Sequence, residues 1–521
     1  MIDCKKNGGD GSNNSISERG EAQAAIIAIF GITGDLARKK IIPALYNLYC
    51  MGLLNEKTRV VGIGRRKYGA VEYRSFIYEA ASKSGCRSND KKAALRSEEK
   101  LASFAGINDY HCADFTDQSE YLGIREYLKK IASENKICNF LYYLSTPPQN
   151  FDAIISALGS SGLSKPDFLD ISCAGSFVRV VIEKPYGCDL ESARTLNSKV
   201  LSIFSEEQIY RIDHYLGKET VQNIMVFRFL NGIFEPIWNQ KYIDNVQIKV
   251  FESDGIGSRA NYFDGAGIIR DIIQNHSLQM LSLVAMEPTI SAEAESVRNE
   301  KLKVLKAIRR FDKKNLANSL AVGQYGCGKI GATPVKGYLE EDGIDKNSAT
   351  ETFAAIKLYI DNWRWAQVPF YLIAGKRMPE RLTEVIVTFK PAPHSIFNNL
   401  CNLPGPSYNR LVIKVQPDEG ISLDVICKEP GFEMNLRPVT MGFNYRTSFD
   451  KAMPEAYERL IIDALNGEAT LFMRSDEIEA AWAFITPILE CVKSGEPELR
   501  VYASGSPGPD LCEFFGLNLC S

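Results

Sequence analysis

No two of the thirteen cysteines, scattered from Cys4 to Cys520, stand in a C-x-x-C spacing, and their number is odd. This argues against a disulfide framework and for a reducing compartment. With only four histidines, His111, His214, His276 and His394, a structural zinc site is disfavoured as well. Excess charge is also missing. A formal balance of −3 leaves no global field for nucleic acid or an anionic membrane, so any anion must be held by a local cluster. No apolar run approaches a membrane span. The Gly-, Asn- and Ser-rich beginning carries no core like that of a secretory signal, and residues 1–22 are expected to form a disordered lead. These absences predict a cytoplasmic protein with neither nucleic acid nor membrane as partner.

What is there is a long chain, 521 residues and 45% hydrophobic, beyond what one core usually holds. Two domains are expected, over 23–210 and 211–521. In the first, Ala25–Phe30 is a short continuous apolar run, as in a strand buried on both faces of a parallel sheet. It ends at Gly31-Ile32-Thr33-Gly34-Asp35-Leu36-Ala37, after which Ala37, Ile41, Leu45 and Leu48 recur at helical spacing. A strand, a glycine turn and a helix let backbone approach a pyrophosphate at a helix N-terminus. The G-x-x-G spacing alone is weak, since many strand-to-helix turns use glycine. A second strand, Arg59–Ile63, runs into Gly64-Arg65-Arg66. It lacks the acid that grips the ribose in NAD-binding proteins, and an arginine there suits the 2′-phosphate of NADP. Leu95–Leu101 and Tyr121–Ile131 read as scaffold helices. Phe140–Leu144 is a further buried strand, closed by Ser145-Thr146-Pro147-Pro148. Arg179–Ile182 is another, and Glu183-Lys184-Pro185 follows it at the sheet edge where α/β folds bind ligands. The Lys184–Pro185 bond is a candidate for the cis form.

The second part begins with Arg211-Ile-Asp213-His214-Tyr215-Leu-Gly-Lys218-Glu219, which packs acids, an imidazole, a phenol and cations into nine residues. As a helix it would place His214 and Lys218 at i and i+4, both able to touch one phosphate, with the Tyr215 hydroxyl beside them. Tyr242–Phe251 alternates as a strand and ends at Glu252. Further on, Asp271 and His276 precede an apolar helix through Met280, Leu283 and Val284. Their five-residue separation keeps them off a common α-helical face and predicts positions on adjacent sides of a bound molecule, with no shared hydrogen bond. Gly326–Lys346 is glycine-rich and charged and is expected to be a mobile surface segment. Lys376 and Arg381 follow the apolar run from Val368, and strands over Thr383–Phe389, Asn409–Val415 and Ile421–Ile426 predict a large, mainly antiparallel sheet. The fold class is thus an α/β Rossmann-type domain followed by an α+β domain.

Several of these strings resemble the glucose-6-phosphate dehydrogenase family over roughly residues 25 to 505. They are the G-x-x-G-D-L-A turn at Gly31–Ala37, D-H-Y-L-G-K-E at Asp213–Glu219, I-R-D-x-x-Q-N-H at Ile269–His276, and the closing Ala456-Tyr-Glu-Arg-Leu, Met473-Arg-Ser-Asp-Glu and Ala481-Trp482 segments. The resemblance implies oxidation of D-glucose 6-phosphate to 6-phospho-D-glucono-1,5-lactone with reduction of NADP, the first step of the oxidative pentose phosphate pathway. It makes His276 the general base and Asp213 its partner. His214, Tyr215 and Lys218 fall on the phosphate, with Lys184, Glu252, Asp271, Lys376 and Arg381 around the sugar. Gly31, Thr33, Gly34, Asp35, Leu36, Arg65, Pro147 and Lys184 fall on the cofactor, no metal is required, and a homodimer or homotetramer pairs through the large sheet. Two departures stand out. Phe151 replaces a tyrosine common in relatives. Lys414 and Gln416 remain from a second, structural NADP site, but Leu382 and Ile386 stand where cations would serve it, so that site is not expected to be intact. The E-K-P turn also occurs in other sugar oxidoreductases, and a catalytically silent regulator would be expected to lack Asp213, His276 or Lys218; none is missing.

Overall fold

The computed structural model describes residues 22–83, 93–169, 175–311, 316, 318–394, 409–449 and 453–516. The lead expected over 1–22 falls, apart from Ala22, outside them. The apolar runs become strands β1 (Ile26–Phe30), β2 (Arg59–Gly64), β4 (Phe140–Leu144) and β5 (Val178–Ile182) of a parallel sheet that also takes in β3 (Asn108–Cys112) and β6 (Ile209–Ile212), neither of which was expected. Their spatial order is 3-2-1-4-5-6, that of a dinucleotide-binding fold, with the reversal between β1 and β4. Every residue of β1 and β4 is buried, which is why both are uninterrupted apolar runs. Strand β6 crosses the 210/211 division expected from the sequence.

The helical spacing after Gly34 holds, and Ala37, Ile41, Leu45 and Leu48 are all buried. Its first five residues, Ala37–Ile41, wind as a π-helix before the α-helix Ile42–Cys50 begins. Phe151, at the departure from the family pattern, starts the helix Phe151–Ser160 and is buried.

The remaining strands are β7 (Ile243–Phe251), β8 (Leu320–Gly326), β9 (Gly328–Ile330), β10 (Thr333–Val335), β11 (Phe353–Leu358), β12 (Phe370–Gly375), β13 (Leu382–Phe389), β14 (Arg410–Gln416), β15 (Gly420–Lys428), β16 (Leu436–Asn444), β17 (Phe472–Met473) and β18 (Arg500–Ala503). Nine of them form the second sheet, in order 16-15-14-13-7-12-11-8-18. All its neighbours are antiparallel except β7–β12 and β8–β18. Strand β17 instead joins the first sheet, antiparallel to β6. There the Phe472 ring meets Tyr210 edge-on at 4.8 Å and the Phe472 carbonyl accepts from Arg298 Nε at 3.2 Å.

Two expectations are corrected. Gly326–Lys346 contains the β9–β10 ribbon and a short turn at Tyr338–Glu340, anchored because the Tyr338 ring is fully buried and its hydroxyl donates to Asp264 at 2.8 Å. One inward aromatic outweighs the segment's polar composition. Cys138 is disulfide-bonded, because spacing along the chain says nothing about bonds between remote residues. Cys112, Cys188, Cys327, Cys427 and Cys512 are free.

Candidate active site

The sequence-predicted residues converge on the carboxyl edge of the first sheet and the facing end of the second. Lys184 follows β5, Asp213 follows β6, Glu252 follows β7 and Lys376 follows β12. Strand β12 runs parallel to β7 with Gly375 opposite Phe251, so Glu252 and Lys376 leave the sheet side by side and form an ion pair. Strand β13 runs antiparallel to β7, which brings its first residues, just after Arg381, to the same end.

The stretch around Asp213 is not the helix expected. His214 to Gly217 form a turn, and the helix starts only at Glu219. The Asp213 carboxylate accepts the Tyr215 backbone N–H at 2.9 Å, an aspartate-directed turn that competes with helix. The consequence is that His214, Tyr215 and Lys218 are gathered by a bend around Asp213, with no helical face involved.

Asp213 and His276 are both buried, and Asp213 Oδ1 lies 2.5 Å from His276 Nδ1. An ionised carboxylate only accepts, so Nδ1 carries the proton and Nε2 is left with its lone pair. Lys184 Nζ sits 3.0 Å from that Nε2, 2.9 Å from the Asp271 carbonyl oxygen and 3.3 Å from Asp271 Oδ1. Among the described residues Asp271 and His276 make no hydrogen bond to each other, as expected, but both meet the one Lys184 ammonium and so are not kept on separate faces. The reason is local: Ile269–Ser277 is a π-helix, whose bonds run from i to i+5, so residues five apart lie one turn above another. The Asn275 side chain donates to the Arg270 carbonyl, also five residues back, at 2.8 Å.

Charge compensates within this cluster. Burial alone would raise the Asp213 carboxyl, but the His276 imidazole outweighs it and holds it well below the usual range. Burial likewise opposes ionisation of Asp271, and Lys184 with Lys376 overcomes it. Lys184 stays charged: burial works against it, yet Asp271 raises it above an ordinary lysine. Burial lowers the His276 imidazole, and Asp213 restores only part of the loss, so the ring is neutral near pH 7. A neutral ring with an unprotonated Nε2 is the form a proton acceptor needs, and in this structure that nitrogen's lone pair faces Lys184.

The other end gathers His214, Tyr215, Lys218 and Arg381. Tyr215 stacks on His276 at 4.0 Å, and its hydroxyl accepts from Gln416 Nε2 at 3.2 Å. Gln416 Oε1 accepts from Lys218 Nζ at 2.5 Å and from Arg381 Nη2 at 3.5 Å. Gln416, expected only as a remnant of a second dinucleotide site, thus belongs to this cluster; the β13–β14 pairing sets it opposite Thr383, and its bond to Lys218 spans 198 residues, so no short-range pattern marks it. Burial lowers the Lys218 ammonium to about 8 despite the pull of Glu419, and burial followed by His276 and Lys184 holds His214 well below an ordinary histidine. Between the ends, Glu252, Arg259, Phe263, Lys376 and Arg381 line a cavity of about 230 Å³. Arg259, 3.8 Å from Asp271, was not singled out in the sequence.

Glu183 was overlooked although it adjoins Lys184. It is buried, its carboxyl is pushed up to about 7 by desolvation, and it accepts from the Tyr143 hydroxyl at 2.6 Å. Asp213, His214 and His276 also bring three ligand-type atoms within 4.8 Å of one another. Two of these residues are already joined by the His276 Nδ1–Asp213 Oδ1 hydrogen bond.

The dinucleotide end is a backbone cradle. Gly31 has φ +81°, and a Cβ there would stand 2.6 Å from the Ser145 carbonyl oxygen, so the β1 turn and the strand-end before Pro147 can touch only because residue 31 is glycine. Gly34 N–H donates to Gly31 O at 2.9 Å, closing the turn that carries Thr33, Asp35 and Leu36. Arg65 projects, exposed, from the end of β2. Its turn is held by the Tyr110 hydroxyl, which lies 2.8 Å from Gly64 O and 2.6 Å from Arg66 O.

Comparisons with known proteins agree along the chain. Residues 28–223 match the family described as glucose-6-phosphate dehydrogenase, NAD binding domain, and residues 225–515 its C-terminal domain. A glucose-6-phosphate 1-dehydrogenase of Treponema pallidum is 42% identical over 499 residues, 96% of this chain and 94% of that protein. One from Aggregatibacter actinomycetemcomitans is 41% identical over 495 residues, 95% and 96%. Among solved structures, a glucose-6-phosphate dehydrogenase in complex with its substrate glucose-6-phosphate superposes with a TM-score of 0.84 at 34% identity, covering 95% of this chain and 98% of that one. A Mycobacterium avium glucose-6-phosphate 1-dehydrogenase gives 0.78 at 33%, covering 94% and 96%.

Proposed function

This chain belongs to the glucose-6-phosphate dehydrogenase family, and from that premise we propose how its own residues oxidise D-glucose 6-phosphate to 6-phospho-D-glucono-1,5-lactone. The observation that carries the reading is the buried 2.5 Å Asp213–His276 pair, whose remaining ring nitrogen faces the Lys184 ammonium. The anomeric hydroxyl gives its proton to His276 Nε2. Asp213 holds the tautomer beforehand and the imidazolium afterwards. Lys184, beside Nε2, supports negative charge developing on the sugar oxygen. His214, Tyr215 and Lys218, with Arg381 and Gln416, hold the 6-phosphate. Glu252, Asp271 and Lys376 accept or donate around the ring hydroxyls.

The family has a dinucleotide-binding domain, and the Gly31–Leu36 cradle with Pro147 opposite fits a pyrophosphate passing over a helix start. NADP is the cofactor we assign, with Arg65 on its 2′-phosphate, and when bound it receives the hydride from C1. The chain through β6 forms the cofactor half of the site, and the remainder forms the sugar half and an oligomer surface. Strand β16 lies at the sheet edge with Val439, Met441 and Phe443 exposed, which favours a homodimer or homotetramer. Among the described residues no helix is long and apolar enough to cross a membrane. We assign the protein to the cytoplasm.

The test is reduction of NADP and, separately, NAD with glucose 6-phosphate or plain glucose. Phosphate-dependent reduction that prefers NADP is expected. Equal use of glucose would overturn the phosphate assignment, and equal use of NAD the role of Arg65.

A further inference from the structure

Glu351 lies outside every group used above, yet it touches the element that carries two of them. The chain breaks at Gly267, with φ 71° and ψ 170°, between the helix Ala260–Ile268 and the π-helix Ile269–Ser277. The first N–H groups after such a break have no partner within the helix. The Glu351 carbonyl oxygen takes the Ile268 N–H at 3.0 Å, and Glu351 Oε1 takes the Ile269 N–H at 3.2 Å. The fit is tight, since a Cβ on residue 267 would stand 2.2 Å from Oε1. The following residue holds another part of the site: the Thr352 carbonyl accepts the Lys376 N–H at 3.0 Å, and the Tyr502 hydroxyl donates to the Lys376 carbonyl at 2.7 Å.

We infer that Glu351 is a positioning residue: its side chain caps the helix bearing Asp271 and His276, and together with Thr352 it fixes those two residues relative to Lys376. Burying a carboxylate is costly, and among the described residues no ion pair relieves it; burial pushes the group up to about 7 against backbone hydrogen bonds and, more weakly, Arg270. What the position retains is an acceptor of one particular reach. Asp271 is the point where both arms meet, lying 3.3 Å from Lys184 and 3.9 Å from Lys376. A slip of the helix start would move Asp271 and His276 together against a sugar held by Lys376, and displacements near 1 Å cost on the order of 10²-fold in rate.

The inference rests on the roles proposed for His276 and Asp271, and the experiment separates the two. Wild type, E351Q, E351D, E351A and G267A are compared for kcat and KM with glucose 6-phosphate, and for NADP affinity by fluorescence titration without sugar. E351Q keeps an oxygen at the same reach and should stay within about threefold of wild type. E351D, one methylene short, and E351A should lose roughly tenfold or more in kcat/KM for the sugar with NADP affinity unchanged. G267A, which also strains the backbone at φ 71°, should lose at least as much as E351A. Near-normal kcat/KM in E351A or E351D, or a parallel loss of NADP affinity, would each overturn the cap. Should E351A not fold, the order of Gln and Asp decides, and Asp at or above Gln overturns it. A wild type unable to oxidise glucose 6-phosphate would strike the proposed function itself and this inference with it.

Discussion

The two ends of the cleft treat charge in opposite ways. At the proton-transfer end, Asp213, His276, Lys184 and Asp271 compensate one another, and both carboxylates lie well below the usual range although buried. At the phosphate end, Lys218 and Arg381 lean on the neutral amide of Gln416, and burial takes Lys218 down to about 8. At about 1.4 kcal/mol per pH unit, that drop from 10.5 leaves the ammonium on the order of 3 kcal/mol less favourable than in water. An arriving phosphate dianion would relieve it. On the roles proposed above, one end is assembled before substrate arrives, and the other is completed by it. The first should govern rate and the second affinity.

The division is broken most directly at His276. H276N should lower kcat by roughly 10²-fold or more while the sugar KM changes little, the usual contribution of a positioned proton carrier. A rise in KM matching the fall in kcat would mean that the two ends are not separable. K218T should do the reverse, raising KM by about 10- to 100-fold with kcat nearly kept, since a charged hydrogen bond is lost against a buried anion. An unchanged KM would remove Lys218 from the phosphate.

A pH series sharpens the contrast. Lys218 is cationic below about 8 and loses its charge above it, so kcat/KM should fall about tenfold one unit beyond that value. K218R, which cannot deprotonate in that range, should hold its pH 7 value at pH 9. Burial lowers the His276 imidazole below the ordinary histidine range, so its role as base should persist through pH 6.5 and fade only at more acid pH, in both proteins. Q416L removes the amide's hydrogen bonds to the cationic Lys218 and Arg381 and, at about 1 kcal/mol lost, should raise KM only about fivefold, leaving kcat alone. A collapse of kcat instead would place Gln416 at the reacting end.

How legible these features were depends on the distance over which each is decided. Strands such as Phe140–Leu144 are decided by their own apolar residues, and the structure reproduces that strand with the same ends. The turn at Gly31 is decided by one glycine. The bend at His214 is not, because the Asp213 carboxylate takes a backbone N–H that a helix would have used. Nor is the shared contact of Asp271 and His276 with Lys184, which depends on a π-helix that α-periodicity misreads. Gln416 needs the whole β13–β14 pairing before it can face Tyr215. Motif resemblance named most of the site's residues, but only the folded chain says which of them touch.

The short strand β17 has a consequence for how the chain is made. The last edge of the amino-terminal sheet, β6, ends at Ile212, and its partner Phe472–Met473 is translated some 260 residues later. Until then the ribosome holds a nearly finished cofactor domain with an unpaired strand at its rim, the kind of edge that recruits unrelated chains. Synthesis therefore passes through a long interval in which one half awaits the tail of the other, and truncations just short of Met473 should be more prone to clump than truncations just beyond it.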